Sequence, residues 1–552
     1  MKIRPVIIFS LFLIFISVWA MRALFHPGFY TSHDGWHQVA RLYHFDVAIR
    51  DGQFPPRFSA ELLNSFGYPL FIFSYHLPWW LAEPLVLLGM SIFDAIKVVF
   101  ILTYVLSGLA MFWWLREIWG DMGGLAGALV YQFTPYRFAN ILVRANIGEA
   151  VSFMCIPLIF WGLYRAHKKQ SVPAIVLGAV GIAGFVLSHI MVGFLFALTL
   201  IIYFLGLLTK ATSKGKFILS ALATVSLGLG LTAYYWLPAI FYKPLTVFSD
   251  FYHGLYQNHF TPLSKLIYSV WGYSPIGIPG EMSRQVGVVI WLMIALSLLS
   301  LLGRVLLGQS KSRFSLYNLF TGAFLISFIS SVFLMMRASA PIWKMIESWS
   351  MIDFPWRFLA VTTFSGSVLT AGAASLIRSK LRYLVIVILF GALVYTNRNY
   401  VRVNQYTDIP LSLYIESELT TNTDDEYLPK WVDRTFAKKK KPLLTSDTTT
   451  VSNLTQTSNV TKLDYSQNSQ ATVSLYQMYF PGWQALIDGR TVLVSKNNFG
   501  GLNIDLPSGQ HQLLLKYQPT AIMRFGDVLS LASLSLIGLW IFNRFIKLRR
   551  ES

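Results

Sequence analysis

The sequence is poor in cysteine and in charged residues. It has one cysteine among 552 residues, which excludes a disulfide scaffold and a cysteine-rich zinc or iron–sulfur module. Only 13% of the residues are charged, where a soluble globular protein averages about 25%. The sequence also has no Walker loop, dinucleotide-binding fingerprint, His-Glu-x-x-His motif or nucleophile elbow. It therefore shows no means of using ATP or a nicotinamide directly.

Long apolar runs take the place of the missing charge. Hydrophobic residues make up 54% of the chain and aromatic residues 16%. A run of about 20 apolar residues crosses the hydrocarbon core of a bilayer, and the sequence predicts a polytopic membrane protein with about 12 spans. The predicted spans are Pro5–Leu24 and, approximately, 94–117, 121–137, 150–166, 173–189, 190–209, 217–238, 286–303, 316–336, 357–377, 382–396 and 525–546.

Two apolar stretches have alternative interpretations. Pro5–Leu24 resembles a signal peptide, but no small-residue cleavage site follows it, so we interpret it as an uncleaved first span. His76–Met90 contains two prolines and a glutamate and is predicted to be an interfacial or re-entrant helix. If His76–Met90 spans the membrane instead, 121–137 does not, because an additional span would place the basic loops that follow on the outer side of the membrane.

The formal net charge of +19 comes mainly from short basic clusters between the apolar runs. A basic chain often binds nucleic acid, but this distribution is the one that the positive-inside rule describes, so no nucleic-acid partner is expected. The prediction is a multi-pass plasma-membrane protein with both termini in the cytoplasm. The cytoplasmic clusters are Arg165, Lys168 and Lys169; Lys210, Lys214 and Lys216; Arg304, Lys311 and Arg313; Arg378, Lys380 and Arg382; and Arg544, Lys547, Arg549 and Arg550.

The chain is predicted to divide into three parts. Residues 1–396 form a transmembrane domain with outer loops at 26–75 and 239–285. Residues 397–523 form an extracytoplasmic domain, and 524–552 form the last transmembrane helix with a basic cytoplasmic tail. Within the extracytoplasmic domain, 408–465 is rich in Ser, Thr and Asn and is predicted to be irregular. From about 471 onward, short β-rich runs separated by Asp-Gly and Ser-Gly turns predict a small antiparallel sandwich.

The first outer loop contains an acidic residue close to the predicted membrane surface. Asp34 lies between His33 and His37, and a carboxylate at an apolar interface can accept a proton from a hydroxyl group. The alternative is that Asp34 caps the helix that follows it. A metal ion bound by this His-Asp-His cluster is a further alternative, but nothing in the sequence fixes a third and fourth ligand, and no cofactor is indicated.

Arginines and acids also lie where the predicted spans emerge. Arg137, Arg144 and Glu149 flank one such loop, and ionisable residues at this depth are costly to bury unless they have a function. Guanidinium groups bind phosphate in a planar, bidentate manner, so several of them together would suit a phosphate on a lipid carrier. Each arginine alone could instead anchor to lipid headgroups. Further candidates of the same kind are Arg284, Arg337 and Arg357, with Arg57, His189, Glu281 and Gln285 as other site residues.

Several motifs resemble a known family. An early outer-loop acid followed by "GQFPPRF", "GYPLFIFSYHLP", "RANIGEA", "SHI" and "FPWRF" resembles the 6-pyruvoyl-tetrahydropterin-synthase-related membrane proteins. The layout is similar to the GT-C superfamily of glycosyltransferases, which use polyprenyl-phosphate-linked sugars. This resemblance implies an all-α polytopic membrane bundle with a small β-rich extracytoplasmic domain before the last span. It also implies that Asp34 is the catalytic acid of the first outer loop and that Glu149 is the second acid.

The C-terminal part resembles a second group. The segment from "YFPGWQALIDG" to "PSGQHQLLLKYQP", followed by the last span, is similar to the end of YfhO proteins, which are implicated in glycosylating lipoteichoic acid. The chain departs from the commonest GT-C pattern because a single Asp34 is flanked by histidines, where that pattern has paired acids. The role of His37 is therefore open, and nothing resembles a pterin-synthase zinc site.

Together these features predict a membrane glycosyltransferase. It would move a sugar from a polyprenyl-phosphate carrier to an envelope glycan or glycolipid acceptor on the outer face. Asp34 would deprotonate the acceptor, and Glu149 and His37 would orient the acceptor or the base. Two other classes stay open: a transporter or lipid flippase, and a non-catalytic envelope assembly protein. The arginines would stabilise the departing phosphate, namely Arg144, Arg357, Arg137, Arg284 and Arg337.

Overall fold

The computed structural model describes most of the chain. Three of the basic residues assigned to the cytoplasmic side, Lys311, Arg313 and Arg378, lie outside the described residues. The described ranges are 5–248, 253–306, 316–347, 352–377, 380–415, 425–437, 440–444 and 449–551. The longer helices are Pro5–Ala20, Gly35–Arg50, Leu77–Leu87, Ile92–Gln132, Ile147–Lys168, Val172–Ser188, Ile190–Lys210, Lys214–Leu231, Ala233–Tyr242, Val288–Leu306, Leu316–Met335, Leu359–Ser375, Leu381–Asn397 and Ala521–Glu551.

The predicted helical bundle with a β-rich domain before its last helix is confirmed. Within the described ranges, seven helices are long and apolar enough to cross a membrane. They are Ile92–Gln132, Ile147–Lys168, Ile190–Lys210, Lys214–Leu231, Leu316–Met335, Pro355–Ser375 and Ala521–Ile546. Four shorter apolar helices accompany them: Pro5–Ala20, Val172–Ser188, Val288–Arg304 and Leu381–Asn397. The number of about 12 spans stays a prediction, as does the orientation of the loops.

The 41-residue helix Ile92–Gln132 is interrupted at Gly120. This residue has φ 74° and ψ 175°, a backbone conformation that only glycine adopts readily. The interruption lies between the two spans predicted at 94–117 and 121–137. The helix is therefore two helices joined at Gly120, as the sequence indicates.

The chain forms two compact units whose boundaries differ from the predicted domains. The first, the helical unit, comprises Met1–Gly35, Ile96–Leu229 and Tyr252–Asp408. The second, the mixed unit, comprises Trp36–Ala95, Gly230–Phe251 and Ile409–Ser552. Most of the first outer loop thus belongs with the C-terminal part of the chain, and not with the helices that precede and follow it.

Helices of the helical unit approach one another through small residues. An added Cβ atom at Gly162 of Ile147–Lys168 would lie 2.5 Å from Cα of Gly178 in Val172–Ser188. Such contacts let membrane helices pack closely. Close packing matters there because the hydrophobic effect provides no driving force for helix association within the bilayer. Large rings fill the remaining space: Phe364 stacks on Trp114 at 5.5 Å between ring centroids and contacts Phe160 at 4.6 Å.

The β structure of the mixed unit consists of two antiparallel sheets. A five-stranded sheet has the order β3-β4-β10-β6-β7 and a three-stranded sheet the order β5-β9-β8, while β1 and β2 pair with each other in the helical unit. Each sheet of the mixed unit has a buried apolar face, shown by Leu513 and Leu515 in the first and Ile504 in the second. The strands are β1 (Phe29–Tyr30), β2 (Tyr406–Thr407), β3 (Thr449–Gln456), β4 (Val460–Gln467), β5 (Ala471–Met478), β6 (Trp483–Ile487), β7 (Arg490–Val492), β8 (Val494–Lys496), β9 (Gly501–Leu506) and β10 (Gly509–Tyr517).

The prediction that 408–465 is irregular is wrong for its C-terminal part. Strands β3 and β4 lie there, so within the described ranges the strands of the mixed unit begin at Thr449 and not near 471. In β4 the inward positions are Thr461, Leu463, Tyr465 and Gln467, alternating with more exposed residues. Their period of two is that of a half-buried strand. The prediction relied on the Ser, Thr and Asn content of the segment, and polar residues at inward positions, such as Thr461, make the alternation of the strand hard to recognise.

Residues 53–58 explain why the first outer loop belongs to the mixed unit. Phe58 is fully buried and contacts Trp483 and Tyr517 at 5.3 and 5.2 Å between ring centroids. The Gln53 side chain donates hydrogen bonds of 2.8 Å to the Phe58 carbonyl and to Ser458 Oγ. The segment therefore packs into the core of the β-rich domain.

A pH-dependent pair connects β10 with the turn between β6 and β7. His511 Nδ1 is 2.6 Å from Asp488 Oδ2, and Nε2 is 3.0 Å from the Ser508 carbonyl. The carboxylate and then the carbonyl raise the pKa of His511 above its ordinary value. Because the pKa is raised in the folded state, the pair stabilises the domain below the unfolded pKa and loses this effect as the pH rises through the folded one.

We expect Asp488→Asn to lower the pKa of His511. The check is an NMR titration of the full-length protein with labelled histidine, in which His511→Gln identifies the signal. An unchanged His511 pKa in the Asp488 variant would show that the carboxylate does not hold the imidazolium.

Candidate functional site

An unusual backbone turn positions the polar residues between two helices of the helical unit. A π-helical turn, Ala139–Val143, precedes Arg144, and such turns are frequent at functional sites. Ala145 then has φ 53°, in the left-handed region that non-glycine residues rarely adopt. Asn146 begins the helix Ile147–Lys168, because its side-chain oxygen accepts a hydrogen bond of 2.9 Å from the Glu149 backbone N–H. This turn brings Arg144, Asn146 and Glu149 together.

The left-handed residue gives a testable prediction. Ala145 is fully buried, and a β-branched side chain is strained at φ 53°. We expect Ala145→Val to lower the free energy of unfolding by about 2 kcal/mol. Ala145→Gly should change it by less than about 1 kcal/mol, because relieved strain offsets added chain entropy and lost burial. Thermal denaturation in detergent checks both; equal stability of the two variants would contradict the strained turn.

Asp34 is held against this turn. Its backbone N–H donates a hydrogen bond of 2.8 Å to the Arg144 carbonyl, and the N–H of His33 donates one of 3.2 Å to Val143. Its carboxylate accepts a hydrogen bond of 3.1 Å from Asn146 Nδ2, and Arg144 Nη2 lies 3.8 Å from the same oxygen. The side chain is 34% exposed. The 139–146 turn therefore fixes an accessible carboxylate beside a guanidinium.

Glu149 links two buried arginines behind Asp34. The Glu149 side chain is fully buried; its Oε2 accepts a hydrogen bond of 2.8 Å from Arg144 and lies 3.6 Å from Arg357 Nη1. Its Oε1 accepts a hydrogen bond of 2.5 Å from the Tyr136 hydroxyl. Arg357 is held on its other side by Asp353, at 2.7 and 2.8 Å. We name this chain the acid–arginine cluster: Asp34, Arg144, Glu149, Arg357 and Asp353.

The acid–arginine cluster has three carboxylates and two guanidiniums. When all are ionised, one negative charge is in excess, and buried charges must be compensated. The members other than Asp34 are 7% exposed or less, so Asp34 is the most accessible group of the cluster. Arg144 also lies over the ring of Trp356, 4.7 Å from its centroid. The cluster thus presents one accessible carboxylate on a buried, charge-paired support.

Two histidines border this cluster. Arg357 Nη1 lies 3.3 Å from Nε2 of His189, one of the predicted site residues. The ring of His259 lies on Phe354, at 4.3 Å between centroids. Burial, followed by the positive charges of Arg284 and Arg357, lowers the pKa of His259 to about 4. His259 is therefore neutral at physiological pH, and the charges of both guanidiniums favour this neutral form.

Arg284 belongs to a neighbouring ion pair. It donates hydrogen bonds to Glu281 at 2.8 Å and to Thr261 Oγ1 at 3.3 Å, and Glu281 is also paired with Lys265. Burial alone would raise the pKa of Glu281, but the Gly277 N–H and the two cations outweigh it and lower that pKa to about 2. Gln285 donates a hydrogen bond of 2.8 Å to the Tyr400 hydroxyl.

Other predicted site residues lie outside the acid–arginine cluster. Arg137 is fully buried, donates a hydrogen bond of 2.7 Å to Ser107 and lies 4.2 Å from the centroid of the Phe153 ring. Arg337 is exposed and, within the described ranges, pairs with none of the acids of the cluster. Two candidates fall in the mixed unit: His37 is half-buried, and Arg57 is paired with Asp527 at 2.5 Å.

The predicted site residues omit Asn146, Tyr136, Asp353 and His259. A signal for Asn146 is present in the sequence, because Asn-x-x-Glu before an apolar run is a helix-start pattern. The spacing of Asp353 and Arg357 is likewise that of a helical ion pair. No spacing argument could have placed Tyr136 or His259. Within the described ranges, no three His, Cys, Asp or Glu side chains are grouped as a metal site requires.

Comparison with known proteins gives a family match. A family model described as "6-pyruvoyl-tetrahydropterin synthase related domain; membrane protein" matches residues 73–403, more than half of the chain. An uncharacterized protein of Lactococcus lactis subsp. cremoris (strain MG1363) is 23% identical over 284 residues. That alignment covers 48% of this chain and 46% of the relative, so the chain spans about half the length of the curated relative it matches.

Solved structures with a similar arrangement come from an archaeal enzyme. The apo form of the Archaeoglobus fulgidus oligosaccharyltransferase has a TM-score of 0.39 and 12% identity, with 77% of this chain and 57% of that chain covered. The oligosaccharyltransferase AglB of the same organism, in complex with an inhibitory peptide and a dolichol-phosphate, has a TM-score of 0.41 and 12% identity, with 73% and 56% covered.

Proposed function

We propose, from the premise that this chain belongs to the family of 6-pyruvoyl-tetrahydropterin synthase related membrane proteins, that it is a membrane glycosyltransferase. It moves a sugar from a polyprenyl-phosphate carrier to a cell-envelope acceptor on the outer face of the plasma membrane. The observation that supports this best is the position of Asp34. Its carboxylate is accessible, is held by Asn146 and lies beside Arg144 at the ends of apolar helices.

In the proposed reaction, Asp34 acts as the base. The acceptor hydroxyl gives its proton to the carboxylate while its oxygen forms a bond to the anomeric carbon of the sugar. The bond between that carbon and the carrier phosphate breaks, and its electron pair leaves with the phosphate. Asn146 keeps one Asp34 oxygen in place, so the other is free to meet the acceptor. A positioned base of this kind contributes about 100- to 10,000-fold to a rate.

Arg144 is the guanidinium best placed for the departing phosphate. Its Nη1 is bound to Glu149, whereas its Nη2 faces Asp34 across 3.8 Å, beyond hydrogen-bond distance. A phosphate oxygen of the donor can therefore be met by Nη2 close to where the proton is taken up. Negative charge develops on the phosphate in the transition state. A hydrogen-bonding group lowers the barrier most when it is already oriented towards that charge before the reaction. Glu149 provides this orientation.

Arg284 and Arg357 are two further phosphate contacts in this proposal. The positive charges of both contribute to the lowered pKa of His259. Arg284 is already paired with Glu281, and Arg357 with Asp353. Their contribution to phosphate binding is thus partly offset by these acids. Arg337 and Arg137 lie outside the acid–arginine cluster and take no part in the proposed reaction.

The location of the cluster favours transfer at the membrane surface over passage across it. Arg144 precedes a span, Glu149 lies in its first turn and Arg357 begins another span. A transporter or flippase requires polar groups near the middle of its spans. A lipid-borne donor reaches helix ends by diffusing in the bilayer, and the first helix offers it an apolar outer face, with Phe15 70% exposed.

The test is a chemical comparison of envelope glycans. Glycans from cells with and without the gene are compared by mass spectrometry, and the purified protein is then assayed with labelled polyprenyl-phosphate sugars. We expect one sugar substituent to disappear without the gene and to return on complementation. Unchanged glycans together with no transfer from any donor of the panel would contradict the proposal.

A further inference from the structure

A cavity lies at the ends of helices remote from the acid–arginine cluster. It has a volume of about 400 Å³ and is bordered by the first residues of Pro5–Ala20 and Leu381–Asn397 and by the last residues of Leu359–Ser375. Leu359–Ser375 begins next to Arg357 and has 17 residues. At 1.5 Å per residue, the cavity is about 25 Å from the cluster. It is thus separate from the proposed active site.

The break at Gly120 opens this cavity. Gly120 lines it together with Asp121 and Met122, where the helix Ile92–Gln132 is interrupted. Apart from Gly120, its two chain neighbours and the adjacent helix backbone, no described heavy atom lies within 4 Å of the position that a Cβ of Gly120 would occupy. The left-handed backbone at this glycine ends one helix and starts the next, and space remains between them.

The lining combines apolar side chains with a basic one. Ile8, Phe9 and Ile377 provide apolar surface. Arg382 also lines the cavity, and its guanidinium lies 5.1 Å from the centroid of the Tyr383 ring. Arg382 is exposed and forms no ion pair within the described ranges.

The carboxylate in the lining does not neutralise Arg382. Asp121 is bound to Nε of Arg116 at 2.8 Å. With that pair counted as neutral, Arg382 leaves one positive charge among the described residues that line the cavity. Apolar surface next to an unpaired guanidinium is complementary to a molecule that has both an anionic head and a greasy tail.

We propose that this cavity binds one anionic phospholipid. Its headgroup phosphate lies at Arg382, and its acyl chains follow Ile8 and the exposed apolar face of the first helix, where Leu11 is 60% exposed. A volume of about 400 Å³ is within the range of small-molecule sites and accommodates a headgroup rather than a whole lipid. A free phosphate ester would use only the guanidinium and would leave the apolar wall unoccupied.

The test is lipid binding by the purified full-length chain. Native mass spectrometry or quenching of a labelled lipid measures the retention of phosphatidylglycerol from mixed micelles, with phosphatidylcholine and soluble glycerol 3-phosphate as the other ligands. Arg382→Gln removes the cation. Arg398→Gln is the matched control, because Arg398 is also exposed and also lies over a tyrosine, at the other end of the same helix. Ser375→Phe fills the cavity and leaves the charge in place.

We expect the unmodified chain and Arg398→Gln to retain one phosphatidylglycerol. Arg382→Gln and Ser375→Phe should each weaken this binding at least tenfold, with phosphatidylcholine and glycerol 3-phosphate bound weakly by all four proteins. Equal retention by Arg382→Gln and Arg398→Gln would overturn the proposal. So would competition by glycerol 3-phosphate at the affinity of the lipid, or an unchanged affinity of Ser375→Phe, which would indicate that headgroups bind at the surface outside the cavity.

Discussion

Replacing Asp34 by asparagine is expected to abolish sugar transfer while the protein still folds. Asparagine keeps the shape of the side chain and its oxygen can still accept the hydrogen bond from Asn146. It cannot accept the proton of an acceptor hydroxyl. We therefore expect the turnover number to fall by about 100- to 10,000-fold, with a smaller change in donor affinity. The measurement is transfer from the labelled donor identified in the glycan comparison.

The matched control for Asp34 is Asp408. It is an exposed carboxylate of the same helical unit, next to β2, and Asp408→Asn should retain full activity. Membrane insertion and thermal denaturation of all three proteins show whether the fold is intact. Full activity of a folded Asp34→Asn protein would remove the base from the proposed mechanism.

The members of the site that could be predicted are those whose position follows from local sequence. Asp34, Arg144 and Glu149 stand out because ionisable residues beside apolar runs are costly without a function. Their mutual contacts depend on a π-helical turn and on a left-handed Ala145, which no spacing rule indicates. Arg357 is 208 positions after Glu149, and only the packing of their helices brings the two together.

The domain division shows a similar limit. The apolar runs predict the helices well, because a span must be long and apolar. The membership of a polar loop is set by a few buried side chains. Phe58 and Gln53 connect residues 53–58 to a part of the chain more than 400 positions later. Arg57, predicted as a site residue, is likewise paired with Asp527 of the last helix. The resemblance of the C-terminal part to YfhO proteins stays a prediction.

Glu149→Gln is expected to cause the largest loss of stability. The carboxylate stands between Arg144 and Arg357 and accepts a hydrogen bond from Tyr136, with no exposed surface. Glutamine preserves the volume but removes the charge that compensates two buried guanidiniums. Leaving a buried charge without its partner costs about 3–5 kcal/mol. We expect a lower denaturation temperature in detergent and less protein in the membrane.

Glu117→Gln is the matched control for this loss. Glu117 is also paired with an arginine, Arg165, but both side chains are partly exposed, at 27% and 42%. An exposed pair contributes at most about 1 kcal/mol, so this variant should be nearly as stable as the unmodified protein.

A double variant separates charge imbalance from lost packing. If Glu149→Gln destabilises because Arg144 is left uncompensated, adding Arg144→Gln should recover part of the loss, since one buried cation is then removed together with the anion. If the two losses add in full, the residues act independently and the acid–arginine cluster is not an electrostatic unit. Recovery would instead show that Glu149 and Arg144 are coupled electrostatically, as the proposed orientation of Arg144 beside Asp34 requires.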